Sequence, residues 1–371
     1  MSEFQILGLG TALPEHSISQ VDAAEFAGTV LAGAAESDKA QRLAKALYRR
    51  SGVQTRHSVV LDSSTGAEPA RQSFYPPSSD PADVGPGTAE RMQRYEQDAP
   101  KLAQVALQRA IEHAGIERSS LTHLVTVSCS GFSAPGFDLS LIRSLDLPRH
   151  IARTHVGFMG CHGALNGLRV AKAFSDANPQ AVVAVCAVEL CTLHHQYGWD
   201  PQEVVANSLF ADGAAAIIGC NRGGAESAVS QWPRLAGNLS FVVPDTEQMM
   251  TWRIGDQGFR MTLSPEVPDI IRGHLPELLE NFLAQHGLAR EQIGGWAIHP
   301  GGPRILKACQ EALDLSDDQL SPSTDILARY GNMSSPTVLF ILDKLMQQAT
   351  QRPYVMLGFG PGLNVEAALL R

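Results

Sequence analysis

Apolar and polar residues along this chain follow two rhythms, and the switches between them mark its elements. Phe4-Gln5-Ile6-Leu7-Gly8-Leu9-Gly10 reads as an opening strand ending in glycines. Helices are expected from Asp22 to Ala32 and from Leu43 to Arg50, the second closed by Ser51-Gly52. Val53 to Leu61 is strand-like and carries Arg56 and His57, and the Ser-, Gly- and Pro-rich stretch from Asp62 to Gly87 reads as a long loop or flap. Thr88 is the expected N-cap of a long helix whose apolar face is Leu102, Val105, Ala106, Ile111 and Ala114, and which stops at Gly115. Leu121 to Ser128 is an apolar strand ending in the loop Cys129-Ser130-Gly131-Phe132. After Cys161, the residues Leu165, Leu168, Val170, Ala171 and Phe174 recur near helical spacing, so Cys161 falls at or near a helix N-terminus. Ala181 to Leu190 is a nearly continuous apolar strand, the kind buried on both faces, and Ala211-Asp212-Gly213-Ala214 turns into another, Ala215 to Gly219.

Gly223-Gly224 and the polar residues after it look like a joint, dividing the chain into halves 1–222 and 223–371. The second half repeats the style. A helix from Pro268 to His286 leads to the strand Trp296-Ala297-Ile298, then His299-Pro300-Gly301-Gly302-Pro303 and a helix from Arg304. Ser321-Pro322-Ser323 is expected to open a short loop-helix segment, followed by Tyr330-Gly331-Asn332-Met333-Ser334. Ser335 as N-cap and Pro336 as first helical residue start a helix to Met346. The chain closes on a strand from Tyr354 to Leu357, a loop Gly358-Phe359-Gly360-Pro361-Gly362-Leu363 and a last strand. Strands alternating with helices in both halves predict an α/β layered fold.

Composition narrows the function. With 44% hydrophobic and 18% charged residues over 371 positions, the chain can bury a large core. A net charge of −9 argues against non-specific nucleic-acid binding, while a local basic patch would still hold an anionic ligand. The start lacks a basic, apolar leader pattern, so no signal peptide is expected. The most apolar run, Ala181 to Leu190, is too short to span a bilayer and already contains Glu189. Six scattered cysteines do not form a disulfide framework, which fits a reducing, cytoplasmic setting. Cys191-Thr192-Leu193-His194-His195 has zinc-like letters but no second spaced pair, so no metal site is expected.

Three polar residues share an unusual context. Cys161, His299 and Asn332 each lie beside glycines, two just before a helix start and one just after a strand. Unpaired N–H groups at a helix start favour thiolate, and Gly160 and Gly163 leave room for a thioester to approach Cys161. Cysteine, histidine and asparagine together can supply a nucleophile, a base or donor, and an amide donor for acyl chemistry. Taken singly, each has an ordinary explanation in a core or a turn.

The surrounding words resemble type III polyketide synthases, the family of chalcone synthase, on the thiolase fold. They are Gly160-Cys161; Leu209-Phe210-Ala211-Asp212-Gly213-Ala214-Ala215-Ala216; Ala297-Ile298-His299-Pro300-Gly301-Gly302-Pro303; Tyr330-Gly331-Asn332-Met333-Ser334-Ser335; and Gly358-Phe359-Gly360-Pro361-Gly362-Leu363. The resemblance spans nearly the whole chain. It implies a duplicated five-layer αβαβα architecture, a homodimer, and CoA thioesters as substrates with no metal or redox cofactor. It makes Cys161 the nucleophile that accepts a starter acyl group, and His299 and Asn332 its partners in decarboxylating malonyl-CoA. Phe210 corresponds to an aromatic gatekeeper, Ser334 to a small polar residue near the nucleophile, and Gly358 to Gly362 to a loop shaping the cavity wall. Arg50, with Lys45 nearby, corresponds to the basic CoA-binding mouth.

Departures from the plant pattern bear on substrate. Met261 stands for a second gatekeeper Phe, Trp252 for a cavity Gly, and Cys129 and His194 for cavity threonines. This resembles bacterial members that take medium or long acyl starters and make alkylpyrones or alkylresorcinols, with a thin apolar passage past Cys129 for the chain. The alternatives are a ketoacyl-acyl-carrier-protein synthase III-like condensing enzyme and a non-catalytic acyl-CoA binder of the same fold.

Overall fold

The computed structural model describes residues 3–31, 37–66, 68–78, 80, 82–221 and 232–371. The first half contains β1 (Phe4–Ala12), β2 (Ser17–Ser19), α1 (Gln20–Leu31), α2 (Ser37–Arg50), β3 (Thr55–His57), α3 (Glu68–Arg71), α4 (Thr88–Ala114), β4 (His123–Ser128), α5 (Phe137–Ser144), β5 (Ala152–Gly157), α6 (Gly163–Ala177), β6 (Val182–Leu190), α7 (Pro201–Leu209) and β7 (Asp212–Cys220). The second contains β8 (Arg234–Val242), β9 (Met250–Gly255), β10 (Gly258–Leu263), α8 (Val267–Gln285), β11 (Gly295–Ile298), α9 (Pro303–Leu313), α10 (Asp317–Tyr330), α11 (Thr337–Gln347), β12 (Tyr354–Gly360) and β13 (Asn364–Leu370).

Among the described residues, nine strands form one mixed ladder in the order β11-β12-β13-β8-β1-β7-β6-β4-β5. It is two half-sheets meeting at a short seam, where Phe4 pairs with Leu235 and Gln5 with Arg234. The halves repeat one another. In the first, α6 leads into β6, which pairs antiparallel with β7; in the second, α11 leads into β12, which pairs antiparallel with β13.

Alternation along the strands of the nine-stranded sheet distributes their apolar residues over three of the four buried clusters. Val183, Val185 and Ala187 of β6 face a central core with α6 and α11, whereas Ala184, Cys186 and Val188 face an outer core under α4. Met356 of β12 and Ala368 of β13 join the central core, while Val355, Leu357, Ala367 and Leu369 face α8 and α9. The sequence of layers is therefore helix, sheet, paired helices, sheet, helix, the thiolase-like α/β fold. Both central helices are enclosed by sheet, so α11 buries Val338 through Leu342 without a break.

Several boundaries differ from expectation. The strand expected over 53–61 is only β3, because Ser58 and Leu61 close a turn. The 62–87 stretch contains α3 and is tied down by Asp62 N–H to Arg71 O at 2.7 Å. Gly87, not Thr88, is the N-cap of α4, with the Glu90 carboxylate accepting from Gly87 N–H at 2.9 Å. The Thr88 hydroxyl instead donates to Gly255 O on β9. Ser321-Pro322-Ser323 lies inside α10 rather than at a helix start. Pro336 caps α11, and the Ser335 hydroxyl is drawn away to a buried carboxylate. Gly358 to Gly360 belong to β12, leaving Pro361–Leu363 as the turn. The hairpin β9–β10 was not expected at all, and the 223–224 joint lies outside the described residues.

α4 packs tightly on β1 at two glycines. A Cβ at Gly10 would sit 2.3 Å from Ala106 O, and one at Gly8 2.3 Å from Ala110 O. Both obstacles are backbone atoms that cannot turn aside. Gly10→Val should therefore lower stability by about 2–3 kcal/mol, read as a drop in urea midpoint at unchanged slope. An unchanged midpoint would contradict this packing.

Candidate active site

β5 delivers the chain to a tight turn, Phe158-Met159-Gly160, in which Phe158 (φ 60°) and Gly160 (φ 87°) are left-handed. Cys161 follows, one residue before His162, the N-cap of α6. The Gly160 peptide is held from behind by Cys129, whose Sγ accepts Gly160 N–H at 2.9 Å. The sequence suggests that glycine here makes room for substrate; the structure gives it another task. A Cβ at Gly160 would lie 2.4 Å from Pro361 Cδ, and one at Gly163 2.9 Å from Val127 Cγ1. Both positions are filled by the protein itself.

His299 leaves the end of β11 and is held by its N–H to Leu357 O at 2.8 Å. Its ring is buried and neither nitrogen has a hydrogen-bond partner in the ligand-free protein. Asn332, between α10 and α11, docks by backbone on the end of α7: its N–H donates to Leu209 O and its carbonyl accepts Ala211 N–H, both at 2.9 Å. Asn332 Oδ1 accepts Ser334 N–H at 2.8 Å, so the NH2 half is the donor left to present. Ser334 holds a left-handed backbone (φ 56°) in this turn.

Cys161, His299 and Asn332, far apart in sequence, line one void together with Phe210, Met261 and Phe359. A second void adjoins Cys161 and is walled by Cys129, Glu189, Trp252, Ser334 and Pro361. Phe210, Met250 and Met261 border both. No hydrogen bond joins Cys161 to His299. Burial pushes the Cys161 thiol up to about 12, with Ser334 and Asn332 hydrogen bonds pulling the other way. Burial also pushes the His299 imidazole down to about 3, aided by nearby His162. Each charge alone is disfavoured here. Burial therefore opposes the thiolate that the helix start favours, and opposes the imidazolium beside it.

The β9–β10 hairpin sets Trp252 opposite Met261 in register. Trp252 Nε1–H donates to Cys129 O at 2.8 Å. On the other side of Cys129, the Tyr95 ring fills the space a Gly131 side chain would need, 2.3 Å from its Cβ position. Cys129 and Ser130 border the void at Cys161, which also reaches Phe210, Trp252 and Met261. His194 lines the next void beyond Trp252. It stacks on Phe259 at 4.2 Å, accepts Phe259 N–H on Nδ1 at 3.0 Å and donates from Nε2 to Ser130 O at 2.7 Å. Both ring nitrogens are used, which removes it as a metal ligand, and burial lowers its pKa to about 3. Gly358 and Gly360 back onto His162, whose ring would lie 2.3 Å from a Gly360 Cβ; Phe359 and Pro361 are the cavity-facing members of that loop. Gly362 (φ 116°) closes the turn. Lys45 and Arg50 are exposed on α2 and border neither void at Cys161.

Sequence reasoning missed Glu189. It is fully buried on the cavity wall and its carboxylate accepts from Cys129 N–H, from Ser130 N–H at 2.9 Å, and from the Ser130 and Ser335 hydroxyls, both at 2.6 Å. Burial raises its pKa. The signal was a lone acid in an otherwise apolar strand.

The chain matches the family profile described as chalcone and stilbene synthases, N-terminal domain, over residues 2–222, and that of the C-terminal domain over 235–371. It is 34% identical to a 1,3,6,8-tetrahydroxynaphthalene synthase of Streptomyces peucetius subsp. caesius, covering 99% of this chain and 92% of that protein. It is 30% identical to the alpha-pyrone synthesis polyketide synthase-like Pks18 of Mycobacterium tuberculosis, covering 98% and 90%. Among solved structures it resembles PKS-I of the brown alga Ectocarpus siliculosus, with TM-score 0.91, 29% identity, and 100% and 99% coverage. The C-terminal type III polyketide synthase domain of Steely1 from Dictyostelium gives TM-score 0.87 at 25% identity, with the same coverage.

Glu189 joins the 129–130 loop, β6 and the start of α11, so its removal orphans several buried donors at once. Glu189→Leu should cost about 3–5 kcal/mol and Glu189→Gln less, both measured by urea unfolding. Equal, small losses for the two would show that the carboxylate holds nothing together.

Proposed function

The chain belongs to the chalcone and stilbene synthase family and is an acyltransferase, a type III polyketide synthase; from that premise we propose how its residues act and on what. An acyl-CoA starter loads onto Cys161. The thiol proton moves to His299 as Sγ attacks the thioester carbon; the new C–S bond forms, the bond to CoA breaks, and the proton leaves with CoA. Burial disfavours either charge alone, but one proton transfer creates thiolate and imidazolium side by side, each offsetting the other's desolvation. The thiolate therefore exists only as half of that ion pair.

Malonyl-CoA then binds in the same void. Its carboxylate leaves as CO2, and the electron pair of the broken C–C bond becomes an enolate with charge on the thioester oxygen. Asn332 Nδ2–H and His299 donate to that oxygen, a preorganised hole for developing charge. The enolate carbon attacks the acyl-Cys161 carbonyl, the C–S bond breaks, and the sulfur leaves as thiolate while His299 takes up a proton from solvent and re-forms the ion pair. The product is a CoA ester two carbons longer. The observation that carries this reading is the convergence of Cys161, His299 and Asn332 on one void.

The starter is a medium- or long-chain fatty acyl group, and the product an alkylpyrone or alkylresorcinol type of ring. Met261 and Trp252 support this by narrowing the cavity to a slot bordered by apolar side chains, where each buried methylene contributes roughly 0.8 kcal/mol. The exposed cations Lys45 and Arg50 would meet the CoA phosphates. The protein acts as a homodimer: β5 is a sheet edge with solvent-facing residues, and Phe132, Phe158 and Met159 are exposed beside it. No helix among the described residues is long and apolar enough to cross a membrane, in keeping with a cytoplasmic enzyme.

Cys161→Ala should abolish the acyl-enzyme seen by intact mass and all condensation. Asn332→Ala should slow malonyl-CoA decarboxylation by about a hundredfold or more while changing starter loading much less; normal decarboxylation would contradict the enolate role. His299→Ala should slow iodoacetamide alkylation of Cys161 at neutral pH by about a hundredfold. Equal rates in the two proteins would mean that the imidazole does not accept the thiol proton.

A further inference from the structure

A helix leaves its final carbonyls without partners of its own, and α7 ends at Phe210, on the wall of the void that holds Cys161, His299 and Asn332. Four successive carbonyls there each accept a hydrogen bond from outside the helix. Asn207 O and Phe210 O accept from Arg56 Nη1, at 2.6 and 3.0 Å. Ser208 O accepts from Gln20 Nε2 at 2.8 Å, and Leu209 O from Asn332 N–H at 2.9 Å. Gln20 and Arg56 are themselves joined, Gln20 Oε1 accepting from Arg56 Nη2 at 2.5 Å. Asn332 returns the contact, since its carbonyl accepts Ala211 N–H at 2.9 Å.

The donors are anchored to the same helix that delivers Asn332. Arg56 lies on β3, in register with Ile18 of β2, and Gln54 N–H just before it donates to Ala328 O of α10 at 2.7 Å. Gly331 (φ 74°), at the end of α10, is wedged against both sides: a Cβ there would lie 2.9 Å from Ala211 Cβ and 3.5 Å from Arg56 Cβ. Arg56 and Gln20 are buried, and the guanidinium lies 5.3 Å over the Tyr48 ring. Neither side chain borders the voids at Cys161, so neither touches the reacting atoms. Burying a cation is costly. A guanidinium, however, presents several donors in one rigid plane, so one nitrogen reaches two carbonyls while its neighbour reaches Gln20. Its charge also complements the negative end of the helix dipole.

We propose that Arg56, together with Gln20, is a positioning residue: by locking residues 207–210 it fixes the backbone on which Asn332 docks, and so aims the Asn332 amide at the enolate oxygen. This rests on the enolate role given to Asn332 above.

The test takes the reaction steps apart. Arg56→Met and, independently, Gln20→Met are assayed for malonyl-CoA decarboxylation and for iodoacetamide alkylation of Cys161, each also in the Asn332→Ala background. Thermal melting confirms folding. Arg56→Met should lower kcat for decarboxylation about tenfold, because a small misplacement of the donor is costly. The KM for malonyl-CoA and the rate of Cys161 alkylation should each stay within about twofold of wild type. Gln20→Met should act in the same direction by about threefold; it keeps the charge, and it decides the matter should Arg56→Met fail to fold. In the Asn332→Ala protein both substitutions should change decarboxylation little, because the group they aim is gone. A loss that persists undiminished in that background, or alkylation that falls in parallel with decarboxylation, shows general structural support and overturns the proposal. Unchanged decarboxylation in Arg56→Met, beside a slow Asn332→Ala, removes the positioning role and leaves the enolate reading standing. Normal decarboxylation by Asn332→Ala alone removes both.

Discussion

The constraint on which the site depends is the burial of two helix starts between two half-sheets. α6 and α11 are enclosed on both sides, so their registers are fixed by apolar packing against β6, β7, β12 and β13. Cys161 sits just before one of these helices and Asn332 just before the other, while His299 caps the strand beside them. Neither helix can slide without opening the central core. The geometry of three side chains is thereby set by dozens of residues that take no part in the chemistry.

Glu189 is the polar counterpart of that packing. Alternation along β6 turns it to the same face as Val185 and Ala187, toward the central layer. There it gathers donors from the 129–130 loop and from Ser335 ahead of α11. A buried carboxylate is a poor source of net stability but a strong source of specificity, because few arrangements satisfy all its acceptor positions. It ties the loop carrying Cys129 to the turn carrying Ser334, and Cys129 in turn holds the Gly160 peptide. The position of Cys161 thus follows from a hydrogen-bond chain that begins a strand away.

Much of this was legible in the sequence. Strands with continuous apolar character, the Cys161 helix and the α/β alternation all follow from periodicity, and the three catalytic candidates stood out by their glycine-rich contexts. What was hidden is non-local. Ser335 would cap α11 if Glu189 did not draw its hydroxyl away. Thr88 would cap α4 if its hydroxyl were not needed at Gly255, and the β9–β10 hairpin carries polar and basic residues at outward positions that mask its alternation. Gly160 and Gly163 read as space for substrate, yet Pro361 and Val127 occupy it. Sequence shows that a position demands glycine; only tertiary contacts show what does the demanding.

Dryness links chemistry to selectivity. The same burial that pushes the Cys161 thiol up and the His299 imidazole down makes any charge formed there seek its partner. On the mechanism proposed above, a wetter cavity would stabilise thiolate and enolate individually and weaken the hydrogen bonds proposed from Asn332 and His299. On that mechanism the apolar lining of Phe210, Met261 and Trp252 would do two things at once: strengthen the electrostatics of condensation and set the width open to the substrate. Changing one of these side chains to admit another starter also admits water, so substrate range and catalytic power are coupled through the same few residues.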